Sequence, residues 1–206
     1  GMGGALISRK PIVTKLKNDN PYFKESFAEY IKWLPFRDTG PAASPMNSYM
    51  FLNDLRTLRP RMDMLSQSCQ KVAEFLEKHS RVYQVDYLGL DSSPQHELAK
   101  KYMKLVDSDD GQGRELNRYG HLMGFRVEGP PENARKVFDS LKLIFRAGDL
   151  GRIKSMATLP ALSTHLQPGE EFRAKADIPP QMIRLCVGAE DPVDLMADLD
   201  QALNTI

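Results

Sequence analysis

A single arginine set inside a short apolar run, Met182-Ile183-Arg184-Leu185-Cys186-Val187-Gly188, is the residue of this chain best placed to do chemistry. The run predicts a strand over 182–187 that ends at the glycine. A guanidinium on a half-buried strand is costly to desolvate unless an anion meets it, and its planar fork of donors matches a carboxylate in two-point contact. That anion is either a carboxylate of the fold itself, giving a structural salt bridge, or the carboxylate of a ligand. The residues alone leave both readings open.

Other constellations carry less. Ser68-Cys69-Gln70-Lys71 has the spacing of a serine nucleophile with a lysine base, but it lies mid-helix without the partner motifs that such a site needs. Asp107-Ser108-Asp109-Asp110-Gly111 resembles a calcium loop, yet its glycine comes one place early and the distal glutamate is missing, so it reads as a solvated turn. Gly111-Gln112-Gly113 follows no predicted strand, which argues against a dinucleotide site. The four histidines, His79, His96, His121 and His165, show no ligand spacing, and no metal site is expected. Arg56, Arg59 and Arg61 alternate with leucine and proline as on a helix surface, not as a stripe that tracks phosphates.

The elements that must position Arg184 are short strands alternating with helices. Asp191 and Pro192 have the types of an N-cap and a first helical residue, and Leu195, Met196, Leu199, Ala202 and Leu203 share one helical face behind them. Upstream, Leu6, Ile7, Ile12 and Val13 suit a strand over 5–13, and the heavily punctuated segment 18–45 reads as a connector with a short helix at 23–33. A long helical spacing runs from Met46 to His79, broken or bent near Pro60. A strand over 82–87, a helix over 95–105, a loop over 107–113, a strand over 121–127, a helix over 132–143 and a strand over 153–157 follow. This order predicts an α/β class with helices covering a small sheet.

With 206 residues and 41% apolar content the chain can bury a full core, and 28 basic against 27 acidic residues leave a net charge of +1. No long-range field selects nucleic acid or a membrane surface as partner. Two cysteines in a chain of this length fit a reducing compartment, and with no basic leader or apolar signal core the cytoplasm is the expected location. Gly1 ahead of Met2 reads as a cloning remnant, with Met2 the expected start either of the natural chain or of an expressed piece of it.

The C-terminal run resembles the Cys/Met metabolism family of pyridoxal-phosphate (PLP) enzymes, which carries a similar Ile-Arg-Leu-Ser-Val-Gly-x-Glu-Asp sequence before its last helix. The resemblance continues through Leu150-Gly151, Ser155, Pro160-Ala161 and Thr164-His165. It continues upstream through Arg37-Asp38, Gly40, Ser44-Pro45, Thr57-Leu58, Arg61-Met62, Ala73, Phe75-Leu76, Val82, Val85, Tyr87 and Gly89-Leu90. Arg37-Asp38-Thr39-Gly40, Ser44-Pro45 and the basic Lys154 before Ser155 are most similar to the O-acetylhomoserine sulfhydrylase branch.

The resemblance implies the C-terminal α/β domain of a fold-type I PLP-dependent transferase over 46–206, with a small helix-covered sheet preceded by a long connecting helix. Residues 1–45 would then be a remnant of, and connector from, the cofactor domain. It also implies that Arg184 grips the α-carboxylate of an amino-acid substrate and that Thr164 lies at the rim of that site. Asp149 stands where the family has Ser or Asn, and a carboxylate about 4 Å from a bound carboxylate would oppose it by several kcal/mol. Either Asp149 is a turn residue facing elsewhere or it weakens the site.

The family's Schiff-base lysine lies ahead of a strand similar to Gly3-Gly4-Ala5-Leu6-Ile7, and Lys10, Lys15 and Lys17 do not match its surroundings. The expectation is a chain that carries part of the substrate site, no catalytic residue of its own and no bound PLP. In the complete enzyme, PLP would serve γ-elimination and replacement on an activated homoserine. The alternative is a stand-alone, non-catalytic interaction module. Phe23, Phe27, Trp33, Leu34 and Phe36 are numerous enough to predict a homo-oligomer built on the connector.

Overall fold

A computed structural model describes residues 4, 5, 7, 31, 32 and 36–206. The expected strand over 5–13 and helix over 23–33, with Phe23, Phe27, Trp33 and Leu34, fall almost wholly outside the described residues. The chain divides into two compact units, Gly1–Thr57 and Leu58–Ile206.

In the first unit a helical turn, Arg37–Thr39, stops at Gly40, whose φ of +62° is left-handed. Helix α1 (Pro45–Arg56) starts at Ser44, whose hydroxyl accepts from the Asn47 N–H at 3.2 Å, with Pro45 in the first helical position. None of its residues is buried, and Met46, Tyr49, Met50, Leu52 and Leu55 are exposed.

The second unit opens with α2 (Leu58–Glu77). The long helical stretch is thus two helices parted at Thr57, three residues before the proline expected to break it. Pro60 sits in the first turn of α2, where its missing N–H would have had no intrahelical partner. Leu65, Cys69, Val72, Ala73 and Leu76 recur at helical spacing and are buried.

Then follow β1 (Val82–Asp86), α3 (His96–Tyr102), β2 (Lys104–Asp109), β3 (Glu115–Asn117), β4 (Leu122–Val127) and α4 (Pro131–Ser140). After these come β5 (Phe145–Arg146), β6 (Met156–Thr158), α5 (Gly169–Lys175), β7 (Met182–Cys186) and α6 (Pro192–Leu203). The segment expected as a loop over 107–113 is the tip of the β2–β3 hairpin, where the Asp109 and Asp110 carboxylates accept N–H groups of the turn.

Five strands form one sheet in the order β1-β4-β7-β6-β5, antiparallel except for the β5–β6 pair. Met123, Phe125 and Val127 of β4 and Ile183 and Leu185 of β7 alternate inward and are buried with α2, α4 and α6. The intervening residues face the other side of the sheet, where Leu122, Cys186 and Met156 form one cross-strand row and Gly124, Arg184 and Thr158 the next.

Two carboxylates hold the backbone around this core. Asp198 of α6, 6% exposed, accepts the N–H groups of Lys142, Leu143 and Ile144 at 2.9 Å each. Glu190 accepts Ser155 N–H at 2.9 Å and its hydroxyl at 2.8 Å, and that hydroxyl accepts Gly188 N–H at 2.7 Å. Asp191 then caps α6 by accepting Val193 N–H at 2.9 Å. The Gly-x-Glu-Asp sequence is therefore a latch that joins the end of β7 to the entry of β6 and to the start of the last helix.

Asp198→Ala should lower stability by about 2–3 kcal/mol, since three N–H groups lose a charged acceptor in a buried setting. A urea midpoint that falls with an unchanged m-value would report it. A second test uses glycine. A Cβ on Gly188 would lie 2.3 Å from both Ser155 N and a Glu190 oxygen, whereas one on Gly124 would meet nothing nearer than 3.5 Å. Gly188→Ala should cost about 1–3 kcal/mol through overpacking. Gly124→Ala should cost clearly less, and equal losses in the same titration would contradict the latch.

Candidate functional site

Arg184 emerges from the middle of the sheet on the face away from the core helices, between Gly124 on β4 and Thr158 on β6. Gly124 supplies no side chain on one flank, where the Met182 thioether and the Asp86 carboxylate lie 3.5–3.6 Å from where a Cβ would stand. Arg184 is half-buried, and its Nη2 donates to the Gly148 carbonyl at 2.8 Å. Among the described residues it makes no ion pair. One contact to a carbonyl uses one of five N–H donors and none of the charge.

The strand extension 147–151 forms a wall of the site. Ala147 N–H donates to Ala157 O at 3.0 Å, which continues the β5–β6 pairing and brings Gly148 over Arg184. Thr164 stands beside Gly148, its methyl 3.7 Å from where a Cβ would project from that glycine. The Thr164 hydroxyl is 2.9 Å from Nδ1 of His165. Asp149 is paired with Arg152 at 2.6 Å. The structure thus gathers Arg184, Gly148 and Thr164, and gives the Asp149 carboxylate its own cation one turn along the loop.

Two further features of this face come with partners that the spacing does not name. Arg126, nearly buried, is clamped by Asp86 at 3.0 Å and Asp177 at 2.6 Å, and the guanidinium holds the Asp177 carboxyl below the usual carboxylate range. Cys186, two residues beyond Arg184 and on the same face, lies 3.5 Å from Nδ1 of His121 and accepts Gly151 N–H at 3.4 Å. Burial pushes the Cys186 thiol up, but the bonds from His121 and Gly151 and the charges of His121 and Arg184 outweigh it and leave the thiol below its ordinary value. His121 moves the other way. Its bond to Cys186 raises it against desolvation, helped by the Val187 carbonyl. The alternation that puts Arg184 on the open face puts Cys186 there as well, a signal present in the sequence.

Elsewhere, His79 bonds Asp200 at 3.3 Å and His96 bonds Asp91 at 3.1 Å, tying elements together. Among the described residues no cluster of three or more His, Cys, Asp or Glu is gathered as for a metal, and no helix is long and apolar enough to cross a membrane.

The chain is 38% identical over 167 residues to a homocysteine synthase of Schizosaccharomyces pombe, an overlap of 81% of this chain and 36% of that protein. It is 37% identical over 170 residues to an O-acetyl-L-homoserine sulfhydrylase of Leptospira meyeri, covering 82% of this chain and 36% of the relative. The fold matches a crystal structure assigned as an O-acetylhomoserine (thiol)-lyase of Campylobacter jejuni with TM-score 0.76 and 35% identity, over 90% of this chain and 40% of that one. A cystathionine gamma synthase of Xanthomonas oryzae, in complex with cystathionine, matches with TM-score 0.72 and 30% identity, over 86% and 42%. The chain therefore spans about two fifths of the length of these relatives. A family profile described as Cys/Met metabolism PLP-dependent enzyme matches residues 2–204, nearly the whole chain, and to that family this chain belongs.

Proposed function

We propose that this chain supplies the α-carboxylate side of the substrate site in a PLP-dependent enzyme of sulfur amino-acid metabolism, with Arg184 as the carboxylate's partner. The observation that carries the reading is a half-buried guanidinium on the open sheet face whose described contact is a carbonyl and not a carboxylate. A substrate carboxylate would take the remaining donors in two-point contact, a geometry lysine could not reproduce. Thr164 borders the same space. Asp149, satisfied by Arg152, would oppose a bound anion far less than an unpaired carboxylate would.

The names of the relatives support an O-acetylhomoserine sulfhydrylase or cystathionine synthase or lyase chemistry for the whole enzyme, with an activated homoserine as amino-acid substrate and sulfide or a thiol as nucleophile. PLP would supply the electron sink that makes carbon–hydrogen bonds of the amino acid acidic. It needs a lysine with depressed pKa or a desolvated setting. The described lysines, Lys32, Lys71, Lys78, Lys100, Lys101, Lys104, Lys136, Lys142, Lys154 and Lys175, are all exposed, so these residues do not fit that part, and no step through the cofactor is assigned to them. Lys10, Lys15, Lys17 and Lys24 lie outside the described residues. Homo-oligomer formation draws support from the exposed apolar side chains of α1, which a second copy would shield.

In the full-length enzyme, Arg184→Ala should raise KM for the amino acid by about one to two decades, equivalent to roughly 1.5–3 kcal/mol, and leave kcat nearly unchanged, because the carboxylate is held alike in ground and transition states. Asp149→Asn should change KM by less than about fivefold, as for an exposed ion pair. Unaltered KM in Arg184→Ala would remove the carboxylate role.

The isolated chain, treated with PLP and borohydride, should show scattered, substoichiometric lysine labelling and no γ-replacement with O-acetylhomoserine and sulfide. One lysine labelled to completion would show that the chain holds the cofactor after all.

A further inference from the structure

Cys186 differs from the other thiol of the chain in its hydrogen-bond partners and in the direction of its pKa. Cys69 is fully buried in the core among Val72, Ala73 and Leu76, and burial pushes its thiol far above the ordinary range. Cys186 is also enclosed, at 3% exposure, but one of the groups that meet its sulfur comes from a surface loop, residues 148–154, every one of which is exposed. Gly151 in that loop has φ +72° and nothing within 4 Å of where a Cβ would stand, so it turns its N–H toward the sulfur while its outer side opens to solvent.

The hydrogen bonds at the sulfur fix its protonation preference. Nδ1 of His121 lies 2.7 Å from the Val187 carbonyl oxygen, which can only accept, so Nδ1 carries a proton. That N–H is shared with Sγ at 3.5 Å, and the Gly151 N–H reaches the same sulfur at 3.4 Å. Two N–H groups converge on one sulfur, with the Arg184 guanidinium two residues away on the same face. This arrangement favours sulfur as a charged acceptor over sulfur as a donor, and the thiolate is the nucleophilic form.

We propose that Cys186 is a redox modification site, a thiolate held by His121 and Gly151 that reacts with hydroperoxides. The sulfur attacks one peroxide oxygen, an S–O bond forms as the O–O bond breaks, and the product is a cysteine sulfenic acid. Sulfur gives up two electrons, and the other peroxide oxygen leaves as hydroxide from hydrogen peroxide or as alkoxide from an organic hydroperoxide, which solvent protonates to water or an alcohol. The His121 and Gly151 N–H groups favour the thiolate over the thiol, and the loop sets the rate of access. The site stands on the Cys186 geometry alone and is independent of the part given to Arg184.

The test treats the folded chain with hydrogen peroxide and dimedone, which traps sulfenic acids, and quantifies the Cys186 and Cys69 peptides by mass spectrometry. Cys186 should be labelled at least tenfold faster than Cys69 (on the order of the difference between a stabilised thiolate and a buried thiol). His121→Leu removes the N–H donor to the sulfur while keeping a side chain of comparable size. It should slow Cys186 labelling by about fivefold or more near neutral pH, with the gap closing at alkaline pH where an ordinary thiol ionises. His121→Met, which also has no donor, serves as a second variant should the first lose its cooperative unfolding transition. Equal labelling of the two cysteines in the folded chain, absence of label at Cys186, or a rate that both variants leave unchanged at every pH would overturn the proposal.

Discussion

Strand β7 is hydrogen-bonded along both edges, to β4 and to β6, and the pleat leaves its side chains only two directions. Ile183 and Leu185 take the inward one and are almost completely removed from water. Burying two such side chains is worth roughly 3–6 kcal/mol together, and a slip by one residue would put Arg184 into the core instead. The cost of that slip holds the register, and the register in turn places Arg184 opposite Gly124 and Thr158 and places Cys186 opposite Leu122 and Met156. Everything proposed for the open face depends on this one alternation.

The open face carries two arginines that the fold treats differently. Arg126 is nearly buried between two carboxylates from different parts of the chain, Asp86 at the end of β1 and Asp177 after α5. Its charge is spent on holding those segments against the sheet. Arg184, one strand over, donates to a carbonyl. Among the described residues one guanidinium is matched by anions and the other by a carbonyl dipole, so the first is a structural cation and the second keeps donors to spare. Elsewhere, Glu190 and Asp198 show a third use of charge, with carboxylates serving as acceptors for loop N–H groups that no strand partner satisfies.

Much of the fold is legible along the chain because its signals are local. The α6 cap at Asp191 and Pro192, the apolar spacing of α2 and the alternation of β4 and β7 each involve residues a few positions apart, and each element appears where its pattern predicts. The elements that elude such reading are short or depend on distant partners. Strand β5 is two residues long and exists because Phe145 and Arg146 pair with Met156 and Ala157. Helix α5 buries none of its residues and so has no apolar stripe to announce it. The β2–β3 hairpin is a polar ribbon, and polar residues in a row read as loop.

For the site, the sequence by itself determined the outlier, a charged residue in a strand that must bury its neighbours, and the family resemblance joined Asp149 and Thr164 to it. Whether Arg184 is already paired, and which cation meets Asp149, only the tertiary structure decided, because an ion pair is a matter of a few ångströms between segments that spacing cannot measure. The answers were Gly148 O for Arg184 and Arg152 for Asp149. The same holds for Cys186. Its neighbours on the chain are apolar, and the groups that set its chemistry, His121 and Gly151, come from 65 and 35 residues away through the folding of β4 and the 148–154 loop against β7.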